Sequence, residues 1–221
     1  EAREICAEFV EVDQDAECGS GDMNSDGFVN VSDIVILVNN ILAESNYVCA
    51  GDMNPDASLN VMDVVILANC ILAENCDTVN RLDGATSVEF NVIGNEVIMT
   101  ADGIVGGIQM TISHGNDFAL TLTDGGQFSD YLTEGNSTRL IIVNPTGNSL
   151  FTANGDFTIE SVIATNYQGD SKLNAAVNMP KEYSISPAYP NPFNPVTTME
   201  LVMPAAGVMQ VEVYNLLGQS V

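Results

Sequence analysis

GDMNSDGFVNVSDIVILVNNIL, residues 21–42, returns thirty residues later as GDMNPDASLNVMDVVILANCIL, residues 51–72. This is an internal duplication, so both copies are expected to fold alike. In the first copy, side chains bearing oxygen recur at alternate places. Asp22, Asn24, Asp26, Asn30 and Asp33 stand at loop positions 1, 3, 5, 9 and 12, and Phe28 at position 7 can offer its main-chain carbonyl. Such spacing suits a loop wound around Ca2+, a hard ion that takes six to eight oxygens, because a tight loop points alternate residues inward. Gly27 at position 6 supplies the positive φ that the turn needs. The second copy keeps Asp52, Asn54, Asp56, Asn60 and Asp63, with Ser58 at position 7, but puts Ala57 at position 6. A left-handed alanine costs about 1–2 kcal/mol, so two calcium sites are expected, the second weaker.

Each loop runs into an amphipathic stretch. Ile34, Leu37, Val38, Ile41 and Leu42 form one stripe, and Val64, Leu67, Ala68, Ile71 and Leu72 form the other. This is helical periodicity. One such helix cannot bury its stripe alone, but two related copies can bury theirs together, each large side chain contributing roughly 1.5–3 kcal/mol. Metal binding and mutual burial are then expected to fold the pair as one unit.

Two D-x-N-x-D loops, each followed by a helix and lacking the helix that precedes an ordinary EF-hand loop, resemble a dockerin domain. The resemblance implies a protein partner, a cohesin, which is a β-sandwich gripped through residues at loop positions 10 and 11. Here those residues are Val31 and Ser32, then Val61 and Met62. They are more apolar than the hydroxyl pairs of cellulosomal dockerins.

Past residue 83 the pattern changes to short β-rich runs divided by Gly, Asn and Asp. Strands are expected at Ser87–Val92, Glu96–Thr100, Ile108–Ser113, Ala119–Thr123, Arg139–Val143 and Phe157–Ala164, which together suggest an antiparallel sandwich. Ile108, Met110 and Ile112 alternate with Gln109, Thr111 and Ser113, predicting one face in the core and the other in solvent. The stretch loosely resembles a cohesin-like sandwich.

Residues 183–221 open with a proline-rich connector and predict strands at Thr197–Val202 and Val208–Tyr214. The run Tyr189-Pro190-Asn191-Pro192-Phe193-Asn194-Pro195, then Thr197-Thr198 and Val213-Tyr214-Asn215-Leu216-Leu217-Gly218, resembles a type IX secretion sorting domain. That resemblance implies export to a bacterial cell surface, and the strands make only part of such an Ig-like unit. The expected division is therefore an acidic arm (1–18), a dockerin-like domain (19–80), a β-sandwich (81–180) and a connector with a partial sorting-type domain (181–221). The fold class is multidomain, an α calcium loop-helix pair followed by all-β segments.

Thirty acidic against five basic residues give a net charge of −25, which repels nucleic acid and anionic membrane and favours cations. No apolar run is long enough to span a membrane, and the chain starts at Glu1 without a basic-then-apolar leader, as a processed product would. Cys6, Cys18, Cys49, Cys70 and Cys76 crowd the first third, which suggests disulfides in an oxidising compartment with one thiol left over. Zinc is the competing use, but there is no CxxC pair and the one histidine, His114, is remote. His114 has no apparent nucleophile beside it, and no motif points to an enzyme. Two functions remain open: an extracellular or cell-surface adaptor that binds a cohesin-like protein, and a filament subunit that binds further copies of itself as a homopolymer.

Overall fold

The computed structural model describes residues 18–73, 84–123, 126–179, 184–192, 194–202, 208, 210–215 and 217–220. Residues 1–17 of the expected arm, Cys6, Cys76, Phe193 and Leu216 lie outside this set.

Each loop hands over to a helix at an asparagine cap. Asn30 Oδ1 accepts from Ser32 N at 2.9 Å while Asp33 Oδ2 accepts from Asn30 N at 2.8 Å, and helix α1 (Val31–Leu42) follows. Asn60 and Asp63 repeat this arrangement, each at 2.9 Å, ahead of α2 (Val61–Ala73). Two orphan donors at each helix start are thereby satisfied by residues three apart. The helices pack through the expected stripes, burying Ile34, Leu37, Val38, Ile41 and Leu42 against Val64, Leu67 and Ala68. Ile71 is only partly buried and Leu72 is exposed, because the stripe runs past the end of the contact.

The pairing is reciprocal. A Cβ at Gly21 would lie 2.7 Å from Leu67 Cδ1, and one at Gly51 would lie 2.8 Å from Leu37 Cδ1. Glycine at the head of each loop thus lets the leucine of the opposite helix sit on the backbone, as an approximate two-fold axis between the copies requires. Gly19 N and Gly21 N donate to Cys49 O and Ala50 O, both at 2.9 Å, and a Cys18–Cys49 disulfide ties the same junction. Cys70 is disulfide-bonded as well.

The β region forms two facing sheets. One contains β1 (Ser87–Ile93), β2 (Glu96–Ala101), β4 (Ala119–Leu122), β7 (Ser149–Asn154) and β9 (Asn174–Asn178), in the order β4-β7-β2-β1-β9. The other contains β3 (Val105–His114), β5 (Phe128–Glu134), β6 (Ser137–Val143) and β8 (Phe157–Asn166), in the order β5-β6-β3-β8. All pairings within these two sheets are antiparallel except β1 with β9. Phe90, Met99, Ile108, Met110, Ile112, Leu140 and Phe151 fill the space between the sheets.

The expected solvent face of β3 is covered. Gly107, Gln109 and Thr111 lie on the side away from the sandwich core, and Gly107 meets Val61 and Val65 of α2. Strand β6 shows the cause, being buried on both faces: Leu140 and Ile142 point into the sandwich, while Ile141 and Val143 join the helix-pair core. A run of consecutive apolar residues is what a doubly covered strand requires.

Towards the C-terminus, β10 (Ser184–Ile185) pairs with β11 (Leu201–Val202). The expected strand Val208–Tyr214 is not formed over its described residues, where only a Tyr214–Ser220 bridge occurs. Apolar alternation cannot hold a strand without a hydrogen-bonded neighbour. Among the described residues no helix is long and apolar enough to cross a membrane.

Candidate functional site

The two loops are built by side chains folding back on their own backbone. Asp22 accepts from Asp26 N at 3.2 Å and Gly27 N at 2.9 Å, Asn24 Oδ1 accepts from Asp26 N at 2.9 Å, and Asp26 Oδ1 accepts from Phe28 N at 2.9 Å. From the far end, Asp33 Oδ1 accepts from Met23 N at 2.9 Å. Asp33 is fully buried, drawing position 12 under positions 1 to 3.

The second loop repeats the pattern. Asp52 accepts from Asp56 N at 3.1 Å and Ala57 N at 2.9 Å, and Asp63 accepts from Met53 N at 2.9 Å. Gly27 has φ +84° and Ala57 has φ +62°, so the alanine adopts the left-handed turn despite its Cβ. Ser58 stands at position 7, and the Asn60 amide donates to its carbonyl at 3.4 Å.

Electrostatics strain the second loop. Burial, aided by the neighbouring Asp52 carboxylate, pushes Asp63 up to about 6, against backbone N–H groups that favour its charged form. Asn54 donates its amide N–H to Asp56 at 3.1 Å, yet its Oδ1 is buried with no hydrogen-bond partner. An orphaned buried acceptor of this kind costs about 1–3 kcal/mol. Among the described residues no three or more Asp, Glu, His or Cys side chains form a ready-made metal cluster. The donors are instead a mixture of three carboxylates, two carboxamides and a main-chain carbonyl per loop. An all-oxygen set, joined in the second loop by one buried acceptor without a partner, fits a hard dication such as Ca2+.

Several contributors were not foreseen from the loop spacing. Tyr47 OH donates to Asp52 Oδ2 at 2.7 Å, and this bond raises the Tyr47 pKa. Gln109 Oε1 accepts from Val61 N at 3.0 Å. Arg139, one of five basic residues, is buried between the units. Its Nε donates to Leu42 O at the C-terminus of α1, and its guanidinium pairs with Glu44 at 3.0 Å and Glu134 at 2.6 Å. A cation at a helix C-terminus complements the helix dipole. Tyr47, Ala57, Ser58, Gln109, Thr111 and Arg139 line part of a cleft of about 350 Å³ between helix pair and sheet.

The four residues at positions 10 and 11 divide between two environments. Val61 and Met62 are 0% and 5% exposed and pack on the chain's own sandwich, whereas Val31 is 62% exposed and Ser32 is also in solvent. His114 is a structural residue. Its ring nitrogens bond Thr138 Oγ1 at 2.8 Å and Gly115 O at 2.9 Å, and the ring stacks on Phe118 at 4.0 Å.

Residues 20–72 match the model of the Dockerin type I domain. No curated protein matches the chain. Among solved structures, a non-cellulosomal cohesin from the hyperthermophilic archaeon Archaeoglobus fulgidus is similar at 18% identity and a TM-score of 0.30, covering 41% of this chain and 84% of that one. A cohesin module from a Clostridium perfringens family 33 glycoside hydrolase is similar at 13% identity and a TM-score of 0.25, covering 43% and 98%.

Proposed function

We propose that this chain is a secreted, calcium-dependent assembly module without catalytic activity, whose helix pair offers the outer face of α1 to a cohesin-like β-sandwich of another protein. One observation carries the reading. Val31 and Val35 are 62% and 41% exposed, while their counterparts thirty residues on, Val61 and Val65, are both 0% exposed because they lie on a β-sheet. The duplication therefore presents the same kind of surface twice, once paired with a sheet and once in solvent. A partner sheet for α1 would repeat the contact that α2 already makes.

Asp22, Asn24, Asp26, Asn30 and Asp33, with the Phe28 carbonyl, would hold one Ca2+. Asp52, Asn54, Asp56, Asn60 and Asp63, with the Ser58 carbonyl, would hold the other. Bound there, each ion supplies positive charge against three carboxylates and fixes the angle at which loop meets helix. On this reading residues 19–80 are the docking unit, 81–180 the sandwich, and 181–221 serve export to the cell surface, as the sorting-type motif suggests. A head-to-tail filament built on the same sheet face would have to displace α2 from it, which favours the adaptor.

Surface plasmon resonance against immobilised cohesin modules, in calcium and then in excess chelator, tests the proposal. Calcium-dependent binding that Val31→Asp abolishes is the expected result. Binding unaffected by both chelator and Val31→Asp would overturn it.

A further inference from the structure

We infer that seating α2 on β3 completes the second calcium loop, so that filling this loop and docking the helix pair on the sandwich are one coupled event, with Gln109 as the positioning residue. The inference rests on the reading of both loops as calcium sites.

The end of the second loop and the start of the interface are the same residues. Asn60 and Asp63 are donors at positions 9 and 12, and Val61 and Met62 lie between them. Val61 N donates to Gln109 Oε1 at 3.0 Å, and its Cγ2 sits where a Cβ on Gly107 would approach to 2.7 Å. Met62 O and Ile66 Cγ1 each stand 2.8 Å from where a Cβ on Gly169 would be. Asn69 Nδ2 donates to Tyr167 O at 2.8 Å, fixing the rotation of α2 two turns further on. The segment that must present Asn60 and Asp63 is therefore held by β3 at Val61 and by the turn that follows β8 at Met62, Ile66 and Asn69.

The two loops also differ in environment. Asp52 and Asn60 are each 4% exposed, whereas Asp22 and Asn30, at the same positions of the first loop, are only half-buried. The Tyr47–Asp52 bond and the unpartnered Asn54 Oδ1 belong to the second loop alone. The first loop meets solvent, while the second is finished by another part of the chain. Docking thus opposes the handicap of Ala57, since a loop already held in its bound shape loses less freedom on binding. Linkage requires the reverse effect of equal size: filling the loop must tighten docking by the same factor.

The test is a calcium titration of the full chain followed by two-dimensional NMR, with the Gly27 and Ala57 amides reporting the two loops separately. In the native chain both amides shift. Gln109→Ala should weaken binding at Ala57 by about tenfold, the worth of one buried hydrogen bond, and leave Gly27 unchanged. Gln109→Glu keeps an acceptor at the same reach and should restore the Ala57 response, which a general loss of stability would not allow. Both amides responding in the native chain, with Gln109→Ala altering neither, would overturn the coupling and leave the calcium reading intact. Neither amide responding in the native chain would overturn the calcium reading itself, and the coupling with it.

Discussion

The main-chain N–H of Val61 donates to Oε1 of Gln109 at 3.0 Å, joining the first residue of α2 to the middle of β3 across 48 residues of sequence. Around this bond the helix pair borrows part of its core from the sandwich, since Ile141 and Val143 of β6 belong to the same apolar cluster as Leu37 and Leu67 while the sandwich keeps its own interior.

Gly107 is the close-approach point of that interface. Gly107→Val would place its side chain within 2.7 Å of both Val61 Cγ2 and Val65 Cγ2, so α2 must lift. Overpacking of this kind costs about 1–3 kcal/mol. Urea unfolding should show that loss, and amide exchange should show faster opening of α2 than of β1 and β2.

Arg139 is the polar counterpart. Arg139→Ala leaves Leu42 O and two carboxylates without their donor. Glu44 and Glu134 are well exposed and regain water, so the expected cost is about 1–3 kcal/mol, mostly from the carbonyl. Arg139→Lys should recover only part of it, because an ammonium cannot address three acceptors in one plane. Thermal unfolding of the two variants side by side measures the difference.

Reducing the disulfides should loosen the junction of the two loops. Cys18 and Cys49 are separated by 31 residues, and closing a loop of that length is worth about 3–4 kcal/mol through the unfolded chain. Calorimetry with and without reductant should show a large fall in Tm, smaller when calcium is bound.

The raised Asp63 pKa sets a pH dependence with a definite sign. Between its unfolded value near 4 and about 6, the folded state holds the extra proton, so this group's contribution to stability falls as pH rises through that window. Asp63→Asn keeps one acceptor where Asp63 offers two, to Met53 N and Asn60 N, so it should remove this pH dependence from metal-free protein and cost more stability in calcium-loaded protein than in metal-free protein. Equal effects of the substitution in calcium and in chelator would show that Asp63 does not meet the ion.

Much of the loop-helix pair was legible because its signals are local. Oxygen spacing, the position-6 glycine and the apolar stripes of residues 34–42 and 64–68 all lie within one turn of what they determine. The second face of α2 was not legible, since covering it takes a sheet distant in sequence. Traces existed even so: Met62 and Cys70 replace the Ser32 and Asn40 of the first copy, making α2 apolar nearly all round, as a doubly buried helix is. On β3, Gln109 and Thr111 read as solvent-facing because polar alternation looks the same whether it meets water or a helix N-terminus. Strands β5 and β9 escaped prediction for a related reason, whereas β7 carries buried Leu150, Phe151 and Ala153 in a run too short to show a clear alternation. Asn174–Asn178 is exposed along its length and is held by pairing with β1 alone, which leaves no hydrophobic period to read.

Calcium uptake per chain, measured by isothermal titration on chelator-stripped protein, tests the central claim most directly. The account predicts two ions per native chain, with one lost on Asp33→Ala and the other on Asp63→Ala. A native chain that takes up no calcium would contradict it.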